Sequence, residues 1–281
     1  MPNEIVVVAG SNRSGTSWLA NIINHDKSYN YYFEPLNRKE CDLFGSFGWR
    51  QYLRSDNVDP KYVFPVLELL SQPLDNNWVN RYNSNPESDR VLIKLIRGNL
   101  LLHWLKQNFP GIKLVLILRH PIAMAVSKMK LNWSSNLDVF TSQDELVEDH
   151  LSAYMEFIST ISSDFERHLV LWCIETMLPL NLLPRDQYHL VYYEHLCTHG
   201  EHEIDKLQEF LGHPAERNAY SVLRKPSELV RKDSAVNIGE DPVRSWEKHV
   251  TPAARRITQA ILERFGVDHL YSAEVTSPLS G

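Results

Sequence analysis

The sequence predicts an α/β fold in three layers, a central parallel sheet covered by helices and carrying helical insertions. Three observations carry that reading. Short, β-branched apolar runs recur at residues 5–9, 91–96 and 114–118, as strands buried on both faces require. Stretches with helical spacing separate the later runs, so strand, helix, strand and helix alternate. The first run ends in a glycine-containing turn, Gly10-Ser11-Asn12-Arg13-Ser14-Gly15, that leads straight into a helix. At 281 residues, 43% of them hydrophobic, the chain can build one sizeable core. No repeat or low-complexity linker divides it, so residues 1–281 read as a single domain.

The elements follow in order. Residues 5–9 form the first strand and 14–24 the helix after it. Residues 29–33 are aromatic and read as a second short strand. Residues 60–70 look helical, whereas 72–89 are rich in Asn, Ser and Pro and read as loop. Between the strands at 91–96 and 114–118, Leu100, Leu101, Trp104 and Leu105 have helical spacing, and Pro110-Gly111 supplies a turn. Another helix opens at Pro121. Residues 145–161 are amphipathic, with Leu151, Tyr154, Ile158 and Ile161 on one face. Residues 189–192 read as a strand, and Ile204, Leu207 and Leu211 mark a helix. Thr251 caps a last helix with Pro252 at its first position, ending near Phe265-Gly266.

Composition narrows the function. A formal net charge of −6 argues against a general nucleic-acid binder. Cys41, Cys173 and Cys197 have no paired spacing and read as reduced thiols. No apolar run approaches the ~18 residues of a membrane span, and the start of the chain runs into a strand rather than a signal peptide, so a cytoplasmic protein is expected. His199 and His202 are spaced H-x-x-H without the Cys or carboxylate partners of a zinc site, and Glu201–Glu203 reads as a solvated helix start. No G-x-S-x-G elbow points to a hydrolase. The oligomeric state is not legible.

The stretch from Val7 to Leu19, VVAGSNRSGTSWL, nearly fits the nucleotide-binding P-loop G-x-x-x-x-G-K-[ST]. Gly10, Gly15 and Ser17 match, but Thr16 stands where the lysine should be. A strand, a glycine turn and a helix start make an anion site, because free N–H groups and the positive end of the helix dipole face the ligand. The hydroxyls of Thr16 and Ser17 add hydrogen-bonding capacity. Arg13 either supplies the missing charge or lies in solvent. Without the lysine, triphosphate chemistry loses its main cation.

Residues 13–19, RSGTSWL, resemble the phosphosulfate-binding loop of sulfotransferases that use 3′-phosphoadenosine 5′-phosphosulfate (PAPS), commonly P-R-S-G-T-T-W-L, with Asn12 in place of the proline. The resemblance implies a P-loop NTPase-like fold and PAPS as co-substrate, leaving 3′,5′-adenosine bisphosphate (PAP) as product and needing no metal. It also implies a second anion site for the 3′-phosphate. Arg119-His120-Pro121, with Ser127 eight residues after the arginine, resembles the family motif R-[DN]-P-x-x-x-x-x-S. His120 replaces an Asp or Asn and reads as a helix-start residue without a chemical role. Val191-Tyr192-Tyr193-Glu194-His195-Leu196 resembles the family's strand end, where Tyr193 lies either near the adenine or in the core. Residues 207–212 resemble the helix after it. Arg231-Lys232 and Trp246–Thr251 resemble the family's closing segment, which implies that Arg231, Lys232 and Ser234 contact the donor. The resemblance runs with gaps to about Tyr271 and is weakest over residues 38–89.

The same resemblance locates the chemistry. Members acting on small phenols use a histidine in K-x-H, but the matching stretch here is Ile93-Lys94-Leu95-Ile96. Carbohydrate and tyrosylprotein members place a glutamate about twenty residues after the loop arginine, and Tyr32-Phe33-Glu34-Pro35-Leu36 lies there. Glu34 is therefore either the catalytic base or one half of a buried salt bridge. Lys94, in the apolar run VLIKLIR, is costly without an anionic partner. It matches the family lysine that contacts the bridging oxygen and the sulfuryl group. The expected activity is sulfuryl transfer to a small-molecule or saccharide hydroxyl. A Mg²⁺-dependent small-molecule P-loop kinase and a non-catalytic nucleotide-binding module are the competing readings.

Overall fold

The computed structural model describes residues 2–214, 216–223 and 239–279. Five strands form one sheet in the order β2-β3-β1-β4-β5. They are β1 (Glu4–Ala9), β2 (Asn30–Phe33), β3 (Arg90–Leu95), β4 (Ile112–Leu118) and β5 (Tyr188–Tyr192), and every pairing is parallel. The predicted α/β class is the observed one. β1 lies at the centre, between β3 and β4, because its residues are apolar on both faces.

Alternation along the strands divides the core. Val6, Val8, Leu92, Val115 and Ile117 pack with Leu19, Ile22 and Ile23 of helix α1 (Thr16–Ile23). Ile5, Val7, Ile93, Leu114 and Leu116 face the other way, onto α2 (Pro60–Ser71) and α3 (Leu102–Asn108). Asp59 caps α2 by accepting from the Lys61 N–H. α4 (Pro121–Met129) follows β4.

The 145–161 segment departs from the single amphipathic helix expected. It is broken into a short helix at Asp144–Leu146, a π-turn at Val147–Leu151, a 3₁₀ turn at Ser152–Tyr154 and a helix at Met155–Thr160. Leu151 and Ile158 still reach the core, but Tyr154 and Ile161 are only partly buried.

The largest element was not visible as periodicity. α5 (Asp164–Leu182) runs for 19 residues, and every residue from His168 to Pro179 is buried. A helix covered on all sides shows no apolar stripe. Its start carries a capping box, with Ser163 and Glu166 satisfying each other's backbone N–H. α6 (Tyr193–Thr198) and α7 (Gly200–Leu211) follow β5, and α8 (Pro252–Arg264) lies nearer the end of the chain. At the start of α7, Glu203 is buried and paired with Lys206 at 3.1 Å, so the expected solvated helix start holds for Glu201 alone of these two. The reason is the helical period, which turns Glu203 toward the same face as Ile204 and Leu207.

Candidate active site

In open parallel sheets, ligands bind beyond the carboxyl ends of the strands, where the chain reverses its direction of winding. The chain winds from β1 outward through β2 and β3, then crosses to β4 and β5, so the crevice opens at the end of β1. The candidate residues gather there. β1 leads into the glycine loop, β2 into Glu34, β4 into Arg119 and β5 into Tyr193, while Lys94 lies in the last turn of pleat of β3.

The loop is held by its own backbone. Ser14 donates its N–H to the Ser11 carbonyl at 3.1 Å and its hydroxyl to the same oxygen at 2.7 Å. Arg13 and Gly15 have left-handed φ values of 77° and 99°. Gly15 caps α1, whose first helical hydrogen bond runs from Leu19 N–H to the Gly15 carbonyl. The N–H groups of Thr16, Ser17 and Trp18 therefore project from the helix end. A side chain at Gly10 would meet the Ile117 carbonyl oxygen at 2.5 Å, so only glycine lets the loop lie against β4.

The second motif comes to the first. Arg13 Nε donates to Ser127 Oγ at 3.1 Å, across 114 residues of sequence. Arg119 donates to the carbonyls of Arg13 at 3.1 Å and of Pro242 at 3.2 Å. Its Nε is buried with no hydrogen-bond partner among the described residues. The guanidinium lies 4.2 Å from the centre of the Tyr193 ring. Tyr193 is buried, and burial pushes its hydroxyl up to about 12. Its ring lies against Gly15, where a Cβ would come within 2.8 Å, and edge-on to Trp18. Tyr193 thus supports the loop and Arg119 from behind. Ser14 and Thr16 are buried and Ser17 is half-buried at the helix start. Arg231, Lys232 and Ser234 lie outside the described residues.

Glu34 and Lys94 form a buried pair, 2.6 Å apart and 1% and 3% exposed. Glu34 also accepts from Arg97 and from the Ile96 N–H, both at 3.3 Å. Its φ of 52° is left-handed, the kind of backbone strain that concentrates at functional sites. The Lys94 ammonium sits 4.3 Å from the centre of the Phe33 ring. Burial pushes that ammonium below its ordinary value, and Glu34 draws it back.

Several residues of this constellation were not singled out from sequence. Glu175 of α5 is buried and accepts from Ser11 Oγ and from Arg50 Nε, both at 2.6 Å. Trp172, one turn earlier, donates to the Arg119 carbonyl at 3.0 Å. This helix thus backs both the glycine loop and the turn after β4. The clue was a lone glutamate inside the apolar run LVLWCIETML. Glu194 accepts from the His120 N–H at 2.9 Å and from the Tyr271 hydroxyl at 2.7 Å, which fixes the turn after β4. Burial raises the Glu194 carboxyl.

His120 is a structural cap. Its Nδ1 accepts from the Ile122 N–H at 3.2 Å, Nε2 faces the carbonyls of Ser272 and Val275 at 3.1 Å, and the ring stacks on Trp246. Burial holds the imidazole down at about 4. The unfolded chain takes up this proton near pH 6.5, so the stabilising contribution is present above that pH and is lost as pH falls toward about 4. The loss is on the order of 3 kcal/mol at full titration. His120→Asn, which keeps an acceptor for Ile122, is expected to flatten the acid slope of unfolding free energy by up to about one proton. Denaturant unfolding between pH 4 and 7 checks this, and an unchanged slope would refute it.

The fold and site define a parallel α/β protein with a lysine-free glycine loop at the end of β1 and, bonded to it, the Arg119–Ser127 motif after β4. Residues 5–217 match the sequence model of the family described as "Sulfotransferase family". The chain belongs to the sulfotransferase family, enzymes that transfer a sulfuryl group. Its structure is similar to the sulfotransferase domain from the curacin biosynthetic pathway, with a TM-score of 0.52 and 15% identity, covering 95% of this chain and 98% of that one. It is also similar to the sulfotransferase domain of the Synechococcus PCC 7002 olefin synthase, with a TM-score of 0.52 and 19% identity, covering 94% and 95%. At these identities the likeness concerns the fold. Among curated proteins, the COPII coat assembly protein sec16 of Schizosaccharomyces pombe is 37% identical over 67 residues, 21% of this chain and 3% of that protein's length. So short a segment carries no function across.

Proposed function

We propose that this protein moves the sulfuryl group of PAPS to a hydroxyl of a carbohydrate or a glycosylated natural product, with Glu34 as general base and Lys94 as the cation that meets the departing charge. The observation that carries this reading is the buried Glu34–Lys94 pair, with Lys94 in register with Val8 of β1, two residues before the glycine loop begins at Gly10. The residues fit the donor. The helix start after the glycine loop leaves its first-turn N–H groups outside the helix's own ladder, and Arg119, bonded to the Arg13 carbonyl, keeps a buried Nε without a partner among the described residues.

Each residue then has a task. The loop amides, with Ser14, Thr16 and Ser17, hold the 5′-phosphate, and Arg13, Arg119 and Ser127 serve the 3′-phosphate end. Arg231, Lys232 and Ser234 are proposed to close over that end. Tyr193 positions the loop through Gly15 and Arg119. The acceptor oxygen forms a bond to sulfur, and the bond from sulfur to the bridging oxygen breaks. The electron pair leaves on the 5′-phosphate. Glu34 takes the hydroxyl proton, and Lys94 shifts a hydrogen bond from Glu34 to the bridging oxygen as charge gathers there. The shift frees the carboxylate when it is needed as a base.

The sugar preference rests on Tyr32-Phe33-Glu34-Pro35-Leu36, which resembles the F-E-P motif of carbohydrate members. Residues 1–281 are proposed to act as one catalytic domain. Among the described residues no helix is long and apolar enough to cross a membrane. The three free cysteines fit a reducing compartment such as the cytoplasm. Transfer of label from PAPS to a panel of saccharides, lipids and phenols, in the presence of a chelator, tests the proposal. Labelled saccharide is expected. Mg²⁺-dependent ATP consumption would favour a kinase, and PAP binding without turnover would favour a binding module.

A further inference from the structure

The glycine loop is tied to the long buried helix by a carboxylate, an unexpected group to stand behind an anion site. One oxygen of the buried Glu175 accepts from Ser11 Oγ and the other from Arg50 Nε, both at 2.6 Å. Ser11 is itself buried, and its carbonyl accepts both the N–H and the hydroxyl of Ser14. The turn from Ser11 to Ser14 is therefore closed on Ser11, and Ser11 is fixed to α5. A neutral amide could accept the same hydrogen bond. A carboxylate differs in two respects. It only accepts, so it draws the Ser11 proton inward, and it repels any anion seated on the loop.

Arg50 offsets that repulsion. It arrives from the irregular stretch between β2 and α2 with a left-handed φ of 52°, and the Gln143 amide donates to its carbonyl at 3.1 Å. Strained backbone of this kind persists where the surrounding contacts over-determine it. The Arg50 side chain is 14% exposed and that of Glu175 0%, so the pair forms away from solvent. Arg97 and Lys128 lie within electrostatic reach of the same carboxylate and screen it in part. A hydrogen bond to a charged group contributes more than a neutral one, and a buried charge stripped of its partner is costly. The tie is thus stiff only while Arg50 is in place.

We propose that Glu175 is a positioning residue of the donor site: through Ser11 it sets the glycine loop against the 5′-phosphate, the group that leaves, and Arg50 is the counter-ion that makes a carboxylate tolerable there. Neither Glu175 nor Arg50 touches the donor. The inference rests on the reading of this loop as the seat of the 5′-phosphate. It separates the two phosphates of PAP. Ser11, Glu175 and Arg50 serve the 5′ end, while Arg119 and Ser127 serve the 3′ end.

Calorimetry with PAP, adenosine 3′-monophosphate and adenosine 5′-monophosphate reads the two ends apart. The dissociation constant of the 3′-monophosphate divided by that of PAP measures the 5′-phosphate. The same ratio for the 5′-monophosphate measures the 3′-phosphate. Ser11→Ala cuts the tie and leaves the Glu175–Arg50 pair in place, so the variant is expected to fold. It should lower the first ratio about tenfold, the worth of a hydrogen bond to a charged group, and leave the second within about twofold. Arg50→Met uncovers the carboxylate and should lower the first ratio about tenfold as well. Adding Glu175→Gln to Arg50→Met should restore most of that loss, because the amide still accepts from Ser11 and carries no charge. Residues with a merely structural role would give losses that accumulate and that strike both ratios alike. If Arg50→Met does not fold, the Ser11→Ala ratios decide alone. Equal changes in the two ratios, no change with Ser11→Ala, or a double variant no better than Arg50→Met would overturn the inference. Wild-type protein that binds PAP no tighter than adenosine 3′-monophosphate would instead bring down the donor reading beneath it, and this inference with it.

Discussion

Glu34→Gln is expected to lower turnover by about 10² to 10⁴ at saturating donor, the usual span for loss of a general base. Glutamine keeps the shape of the side chain and removes its basicity. The carboxylate accepts from Lys94, Arg97 and the Ile96 N–H, so it is oriented before any substrate arrives. The substitution also leaves Lys94, 3% exposed, facing a neutral amide. Breaking a buried pair costs roughly 3–5 kcal/mol when one partner is lost outright, and the retained amide oxygen should reduce that. The variant is therefore expected to fold with a lower melting temperature and to bind PAP nearly as before. Near-wild-type turnover would sink the assignment. His120 could not replace it, because both ring nitrogens are engaged in the core.

The second large effect is expected at Lys94. Lys94→Met keeps most of the length and removes the charge. Turnover should fall by about 10² to 10³, the cost of removing one group aimed at charge that develops in the transition state. PAP affinity should change far less, because Lys94 is engaged with Glu34 in the resting site. The split between rate and affinity is the informative reading. A variant that loses donor affinity but keeps its rate at saturation would make Lys94 a ground-state anchor.

The parts of this site that could be read from sequence are those with local causes. The glycine loop is legible because a strand, two glycines and a helix start fix an anion site within a few residues of each other. Arg119 and Ser127 are legible for the same reason, lying on one strand end and the helix that follows it. Glu34 and Lys94 could be named, but their contact spans 60 residues and depends on β2 pairing with β3, with Phe33 beside Lys94. Sequence spacing carries no such information.

Glu175 and Arg50 escaped for a different reason. α5 is buried on every side, so its pattern lacks the stripe that marks a surface helix. Arg50 lies in an irregular stretch whose conformation is set by what it packs against. The segment at 145–161 showed the right apolar residues but broke into π and 3₁₀ turns, which follow tertiary packing rather than period. Tyr193 showed two possible places in sequence, and the lack of a Cβ at Gly15 is what lets the ring close against the loop.

The central claim is that this lysine-free loop, joined through Arg13 to Ser127 and through Arg119 to its own backbone, is built for a nucleotide with a 3′-phosphate and not for a triphosphate. Thermal melting with PAP, AMP and ATP·Mg²⁺ measures it most directly. PAP at a hundred times its dissociation constant should stabilise the fold by about 2.7 kcal/mol, with AMP and ATP·Mg²⁺ far behind at the same concentration. Arg119→Ala should erase the difference. Stabilisation by ATP·Mg²⁺ equal to that by PAP, or a preference for PAP that survives Arg119→Ala, would contradict the account.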